Sequence, residues 1–252
     1  HESNAIPGLT TRLLDRHAGL IMVGFEECRK TYKRPEKVLV TGTPVRGDFF
    51  RLTKKEAKKQ LGMDDGRPLV VSFWGSLGAA EMNREIARIL ALESGDGAPF
   101  QHVHGAGALG CQRMGAYLAE AGVDLEKSPS LEVREYIQDM SVLMRAADLV
   151  ICRAGASTIS ELTALGVPAI IIPSPNVTNN HQESNARVLE RAGGAVVVLE
   201  KDSGGRLLYD AACRILRSPD RRREMSRAMS ALGSIDAAER IYAAVTALAG
   251  KK

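Results

Sequence analysis

The stretch Cys152–Pro173, CRAGASTISELTALGVPAIIIP, sets Gly155, Ala156, Ser157 and Thr158 behind an apolar run, with a single acid, Glu161, following them. Small residues let backbone approach a ligand closely, and the free amides that open a helix favour an anion, most often a phosphate. Ser157 and Thr158 add hydroxyl donors, and Glu161, about one turn in, is placed to accept two hydrogen bonds from a ribose diol. The same residues, Thr158-x-x-Glu161, also spell a capping box that needs no ligand; locally the two readings carry equal weight. A second glycine-rich turn, Gly75-Ser76-Leu77-Gly78, follows the run PLVVSFW. It is neither a full G-x-G-x-x-G nor a P-loop, which argues against Walker-type triphosphate chemistry. A third segment, PSPNVTNNHQESNA (173–186), brings His181, Gln182 and Asn185 to the start of a helix, and amide side chains that both donate and accept suit sugar hydroxyls. Asn179 and Asn180 read instead as helix caps. The opening HESNAIPGLTTRLL, read by itself, is a polar loop leading into a helix.

Metal chemistry is not indicated. The five histidines are dispersed, with no HxxH or HExxH, and no Asp-x-Asp triplet occurs. A transferase of this composition is expected to stabilise a leaving diphosphate with helix amino ends and arginine rather than with a chelated cation.

These turns have to be held by strands and helices, and the pattern supplies them. Apolar, mostly β-branched runs occur at 20–25, 37–42, 68–74, 100–105, 131–137, 148–152, 168–173 and 194–199, most bounded by Gly or Pro. Such runs read as strands of a parallel sheet buried on both faces. Helical patterns lie between them, several stopped by Gly62, Gly122, Gly166 or Gly193. The fold class is therefore α/β, a doubly wound Rossmann-like parallel sheet with right-handed crossovers, and ligands are expected beyond the carboxyl ends of its strands. GTPVRGDFF (42–50) breaks the pattern, and a last helix, DAAERIYAAVTALAG, has no strand after it.

Bulk properties narrow the function classes. The 252 residues are 44% apolar and 25% charged, ordinary for a globular chain, and the net charge of +4 is mild. Clustered Lys/Arg with interleaved aromatics is absent from the pattern, so a nucleic-acid partner is not expected. The four cysteines form no CxxC pair, which points to packed thiols in a reducing compartment. No apolar run approaches the ~18 residues of a spanning helix.

Taken in order, these segments resemble the MurG family, the bacterial lipid I N-acetylglucosaminyltransferases. HESNAIPGLTTRLL is similar to the family's HEQNAxPGxTN, VTGTPVR to VxGNPVR, WGSLGA to GGSQGA, YIQDM to FIDDM, and HQESNA to HQxxNA. DLVICRAGASTISELTALGVPAIIIP is close to the family's own wording. The resemblance implies a GT-B fold of two Rossmann-like domains: 1–46 a remnant of the acceptor domain with its linker, 47–232 the UDP-GlcNAc-binding domain, and 233–252 a helix returning toward the acceptor domain. It implies an inverting, metal-independent enzyme without a cofactor. The donor is UDP-GlcNAc, the acceptor lipid I (undecaprenyl-pyrophosphoryl-MurNAc-pentapeptide), and the product lipid II.

Carried onto this chain, the resemblance puts Arg46 and Ser76 at the diphosphate and Ile137 beside the uracil. The turn Ala156, Ser157, Thr158, Ile159 and Ser160 would cradle phosphate, and Glu161 would take the ribose hydroxyls. Gln182 and Asn185 would meet the GlcNAc hydroxyls, and Asn4 would reach across the cleft. The family's GGTGGH loop, which carries its proposed general base, and its membrane-docking surface precede the first residue here. This implies a peripheral position on the cytoplasmic face of the bacterial membrane, anionic lipid contact through that preceding region, and no turnover on lipid I by these 252 residues alone. Trp74 and Leu77 depart from the family's GGSQGA, and Ser3 and Thr43 from its other segments. Two other functions compete: a UDP-GlcNAc 2-epimerase, which shares the fold, and a UDP-sugar-binding module without turnover.

Overall fold

The computed structural model describes residues 1–75 and 79–250. The helices are α1 (Leu9–Leu14), α2 (Glu26–Arg29), α3 (Lys54–Gln60), α4 (Ala80–Gly95), α5 (Ala108–Ala121), α6 (Met140–Ala146), α7 (Ala156–Leu165), α8 (His181–Ala192), α9 (Gly205–Leu216), α10 (Pro219–Leu232) and α11 (Ala237–Ala249). The strands are β1 (Ile21–Val23), β2 (Val38–Val40), β3 (Leu69–Phe73), β4 (Gln101–Gly105), β5 (Leu131–Arg134), β6 (Leu149–Cys152), β7 (Ala169–Ile171) and β8 (Ala195–Val197). Each strand falls inside one of the apolar runs. Gly62, Gly122, Gly166 and Gly193 all sit at positive φ just past helices, as stop signals should.

Six strands form an all-parallel sheet in the order β5-β4-β3-β6-β7-β8. The chain winds outward one way from β3 and the other way from β6, so the order reverses between these two strands. A crevice opens at such a switch point, outside the carboxyl ends of the strands. Both faces of the sheet are covered. Val70, Leu149, Ile151 and Ile170 pack on one side against α4, α5 and α9, and Leu69, Val71, Val150 and Ile171 on the other against α6, α7 and α8. Cys28, Cys152 and Cys213 are buried and all four thiols are free.

β1 and β2 form a separate two-stranded parallel sheet with a small core of Ile21, Val23, Cys28, Tyr32 and Val38. It docks on the larger unit through Ala5 and Phe25, which join the second core. At Gly42, with φ of 77°, a Cβ would stand 2.3 Å from the Ser234 Cβ, so only glycine lets the chain leading to α11 cross there.

Helix α9, like the short α2, is an element that the sequence pattern did not announce. For α9, Gly204 is the N-cap and Gly205 the first residue, with no capping side chain. Its stripe Leu208, Tyr209, Ala211, Ala212, Ile215 and Leu216 is nonetheless a clean helical face, buried against α4.

Candidate functional site

Phe73 and Gly75 at the end of β3, Gly105 and Gly107 at the end of β4, Glu135–Ile137 after β5, and Ser157, Thr158 and Glu161 on α7 line a single cavity of about 240 Å³. Arg46, Phe49 and Met140 close its side. It lies at the switch point, where the topology directs a ligand.

Local sequence explains why the walls are open. Gly105 faces Ile137, whose Cδ1 would be 3.0 Å from an added Cβ, so the buried Ile137 side chain fills what a larger residue would take. Gly107 holds φ of 79° at the entry to α5. Sequence reasoning passed over both glycines; the signal, Gly-Ala-Gly closing the run FQHVHG, was present. The turn between them is fixed from below. Asn83 on α4 donates its Nδ2 to the Ala106 carbonyl at 2.9 Å, which directs its Oδ1 to His104 Nε2 at 3.1 Å. His104 Nδ1 then accepts from the Ser72 hydroxyl at 2.7 Å, and Ser72 Oγ accepts from His102 Nε2 at 2.8 Å. His102 Nδ1 meets Glu93 at 2.8 Å. All five side chains are fully buried. Burial, aided by the His102 charge, pushes the His104 imidazole down to about 3, so it stays neutral as this direction of bonding requires.

At α7 the capping-box alternative fails. The N-cap is Gly155, with no side-chain cap, and Thr158 is already the third helical residue. Glu161 makes no hydrogen bond among the described residues, and burial pushes its carboxyl up to about 7, eased by Arg46 and raised further by Asp48. The amides of Ala156, Ser157 and Thr158 have no intrahelical acceptor, whereas the Ile159 amide already bonds the Gly155 carbonyl at 2.9 Å. The Ile159 side chain is core, and the Ser160 hydroxyl donates back to Ala156 O at 2.9 Å. The free amides are thus those of Ala156–Thr158, fewer than the turn to Ser160 implied by resemblance. The exposed Arg46 guanidinium sits 5.5 Å over the Phe49 ring, 3.5 Å from Asp48.

The residues expected at the sugar divide. Gln182 Oε1 accepts from the amides of Ser174 at 2.9 Å and Ala154 at 3.3 Å, which leaves its Nε2 as a donor. Asn185, expected at the sugar hydroxyls, is instead fully buried and committed: Oδ1 accepts from the Ala5 amide at 2.8 Å, and Nδ2 donates to Asn4 Oδ1 at 3.0 Å and Ala154 O at 3.2 Å. It clasps the first residues to the β6–α7 turn. Asn4 joins that clasp and also donates to Glu2 at 3.1 Å. Glu2 accepts from Asn4, Gly8 and Thr11 and is held below the usual carboxylate range by those bonds against the opposing effect of burial, so it organises the loop and is a poor base. The expected contacts of Ser76, and of Leu77 beside it, lie outside the described residues. Trp74 is buried on the α4 side, with the Arg153 guanidinium 5.6 Å from its ring centre; Arg153 in turn bonds the Ile172 and Pro173 carbonyls and pairs with Glu200.

Comparison with known proteins supplies a second line of observation. Residues 69–241 match the Glycosyltransferase family 28 C-terminal domain. A protein of Acetivibrio thermocellus named UDP-N-acetylglucosamine--N-acetylmuramyl-(pentapeptide) pyrophosphoryl-undecaprenol N-acetylglucosamine transferase is 40% identical over 242 residues, covering 96% of this chain and 64% of its own. A protein of the same name from Desulforudis audaxviator is 36% identical over 252 residues, covering 100% of this chain and 67% of its own. Among solved structures, Acinetobacter baumannii MurG superposes with a TM-score of 0.74 at 24% identity, over 96% of this chain and 64% of that one. A UDP-GlcNAc 2-epimerase from Neisseria meningitidis bound to UDP-GlcNAc gives 0.64 at 16% identity, over 93% and 63%. The chain spans about two thirds of the length of the curated relatives it matches.

Proposed function

The chain belongs to the family 28 glycosyltransferases, whose C-terminal domain it carries, and we propose that it binds UDP-GlcNAc as the donor half of a lipid II-forming N-acetylglucosaminyltransferase. The observation that carries this reading is the convergence of the free amino end of α7 with a cavity lined by Ser157, Thr158 and the half-buried Glu161 carboxylate, which has no hydrogen-bond partner among the described residues. A diphosphate suits the first and a ribose diol the second. The base lies between Ile137 and the Gly105–Gly107 turn, and Gln182 Nε2 is free for the sugar.

In the transfer, the acceptor hydroxyl of lipid I attacks the anomeric carbon from the face opposite UDP. The bond from that carbon to the β-phosphate oxygen breaks, its electron pair leaves with UDP, and the hydroxyl proton passes to a base. Charge gathering on the diphosphate meets the amino end of α7, worth about half a positive charge, and the mobile-length side chain of Arg46. A membrane-held acceptor places the enzyme peripherally on the cytoplasmic face, and no helix among the described residues is long and apolar enough to cross a membrane.

Calorimetry with UDP-GlcNAc tests the reading. Binding is expected to strengthen as pH rises through about 7, where Glu161 ionises, and to fall at least tenfold in Glu161→Gln, since a hydrogen bond to a charged group is worth ~1.5–3 kcal/mol. Equal binding by both proteins at high pH would remove the ribose assignment. The epimerase reading rests on fold likeness alone and predicts UDP-ManNAc from UDP-GlcNAc; the transferase reading predicts none.

A further inference from the structure

The opposite end of the sheet carries a second cleft, of about 440 Å³, lined by Lys54, Arg145, Asp148, Arg222, Arg223 and Arg227 among others. Five cations against one acid leave a balance of +4, the formal net charge of the entire chain. The cleft is walled by the carboxyl end of α7, the residues leading into β6 and β7, and the first turns of α10. The length of α7, about 15 Å, separates it from the nucleotide cavity.

Local structure does not account for this charge. The carboxyl end of α7 attracts cations, but with only about half a unit charge. Asp148 is already shared by Lys54 at 2.7 Å and Lys58 at 2.6 Å, and also accepts from the Leu69 amide at 2.9 Å. Arg145 gives Nε to the Leu52 carbonyl at 2.8 Å and keeps its terminal nitrogens. Arg222 bonds the Leu216 carbonyl, an uncharged partner, and Arg223 pairs with Asp220. Arg227 has no hydrogen bond or ion pair among the described residues.

Arg221, Arg222 and Arg223 also occupy the first two turns of α10, where the helix dipole favours acids. Burial, with the Lys58 and Arg222 charges, holds the Lys54 ammonium below its ordinary range against the pull of Asp148. The sequence thus places cations where both the helix and one another oppose them, an arrangement that an anion in the cleft would relieve.

We propose that this cleft is a binding site for a phosphate-bearing anion of at least two negative charges, separate from the nucleotide-sugar site. Guanidinium forks match phosphate oxygens in pairs, which lysine alone does not offer. Such a ligand is either a free phosphorylated molecule or the headgroup of an anionic lipid, and the chemistry of recognition is the same.

The test uses the full chain with UDP at saturation, so that the nucleotide cavity is occupied. Inorganic pyrophosphate is titrated by calorimetry, and vesicles of phosphatidylglycerol or phosphatidylcholine are co-sedimented with the protein. Arg223→Gln/Arg227→Gln removes two exposed guanidinium groups with little risk to folding, checked by its melting curve. Arg113→Gln, an exposed cation on α5, controls for the loss of charge alone.

Saturable pyrophosphate binding, weakened roughly tenfold or more in the double variant and unchanged in the control, establishes the site and a free phosphate ligand. Retention on phosphatidylglycerol alone, with the same dependence on Arg223 and Arg227, establishes the site and a headgroup. No binding in either arm, or binding that the double variant leaves intact, overturns the proposal.

Discussion

Glu161 and His104 are two side chains held in the ionisation state that burial prefers, and their effects on stability have opposite signs. Glu161 titrates near 7 in the fold against an ordinary 4.5, so its contribution is complete below 4.5 and is lost as pH rises through 7. His104 titrates near 3 against an ordinary 6.5, so its contribution is present above 6.5 and is lost as pH falls. Between about pH 5 and pH 6 the folded protein holds one extra proton at Glu161 and lacks one at His104. The unfolding free energy, measured in urea, is therefore expected to be nearly flat across this interval. In Glu161→Gln the His104 effect is unmasked, and stability should fall by about 1.4 kcal/mol per pH unit on acidification. The same variant should be more stable than the parent at pH 8 by about 1 kcal/mol, a figure reduced because Glu161 is half-exposed. A variant that loses donor binding while gaining stability marks a residue kept for its ligand.

Among the elements, the docking of α4 against β4 does more than fill the core. Asn83, in the first turn of α4, bonds the carbonyl of Ala106, the residue between two glycines of the cavity at the switch point. Asn83→Ala would leave that carbonyl and the His104 Nε2–H unpaired in a dry interior, at about 1–3 kcal/mol for each orphaned group. Urea unfolding should register a loss of about 3 kcal/mol, and UDP affinity should fall although Asn83 is not among the residues lining the cavity. Asn83→Asp, which keeps the acceptor toward His104 but loses the donor, should separate the two contacts. The elements also show where sequence reading reaches its limit. Eight strands were legible because parallel strands buried on both faces are continuous apolar runs, bounded here by Gly and Pro. The turn from β6 into α7 was legible because small residues after an apolar run are a local signal. Asn185 was misplaced because its partners, Asn4 and Ala5, lie about 180 residues away. Near its own segment an amide at a helix start reads as a sugar ligand, and only the tertiary structure shows both its groups already used. Helix α9 was missed for a different reason: a glycine pair opens it, and its stability comes from packing on α4 rather than from a cap.

For the molecule as a whole, stability is unevenly distributed. The six-stranded sheet is covered on both faces, whereas β1 and β2 share a core of five buried side chains, too little for a two-stranded sheet to stand alone in water. The small unit is ordered because Ala5 and Phe25 enter the larger core and Asn185 grips the Asn4–Ala5 segment. Subglobal opening of this unit is expected at a lower free energy than global unfolding. In hydrogen exchange, the amides of β1 and β2 should exchange well before those of β3, β4 and β6. Asn185→Ala should widen that gap, because it frees the Ala5 amide and the Ala154 carbonyl at about 1–3 kcal/mol each. Its effect should be a roughly tenfold or greater acceleration confined to residues 1–42, with the exchange of β3 and β4 unchanged. Uniform acceleration across both sheets would show instead that the two units open together. The outcome also bears on the proposed transfer, since Arg46 follows the small unit directly: a clasp that holds residues 1–42 also fixes the point from which Arg46 reaches the cavity it lines.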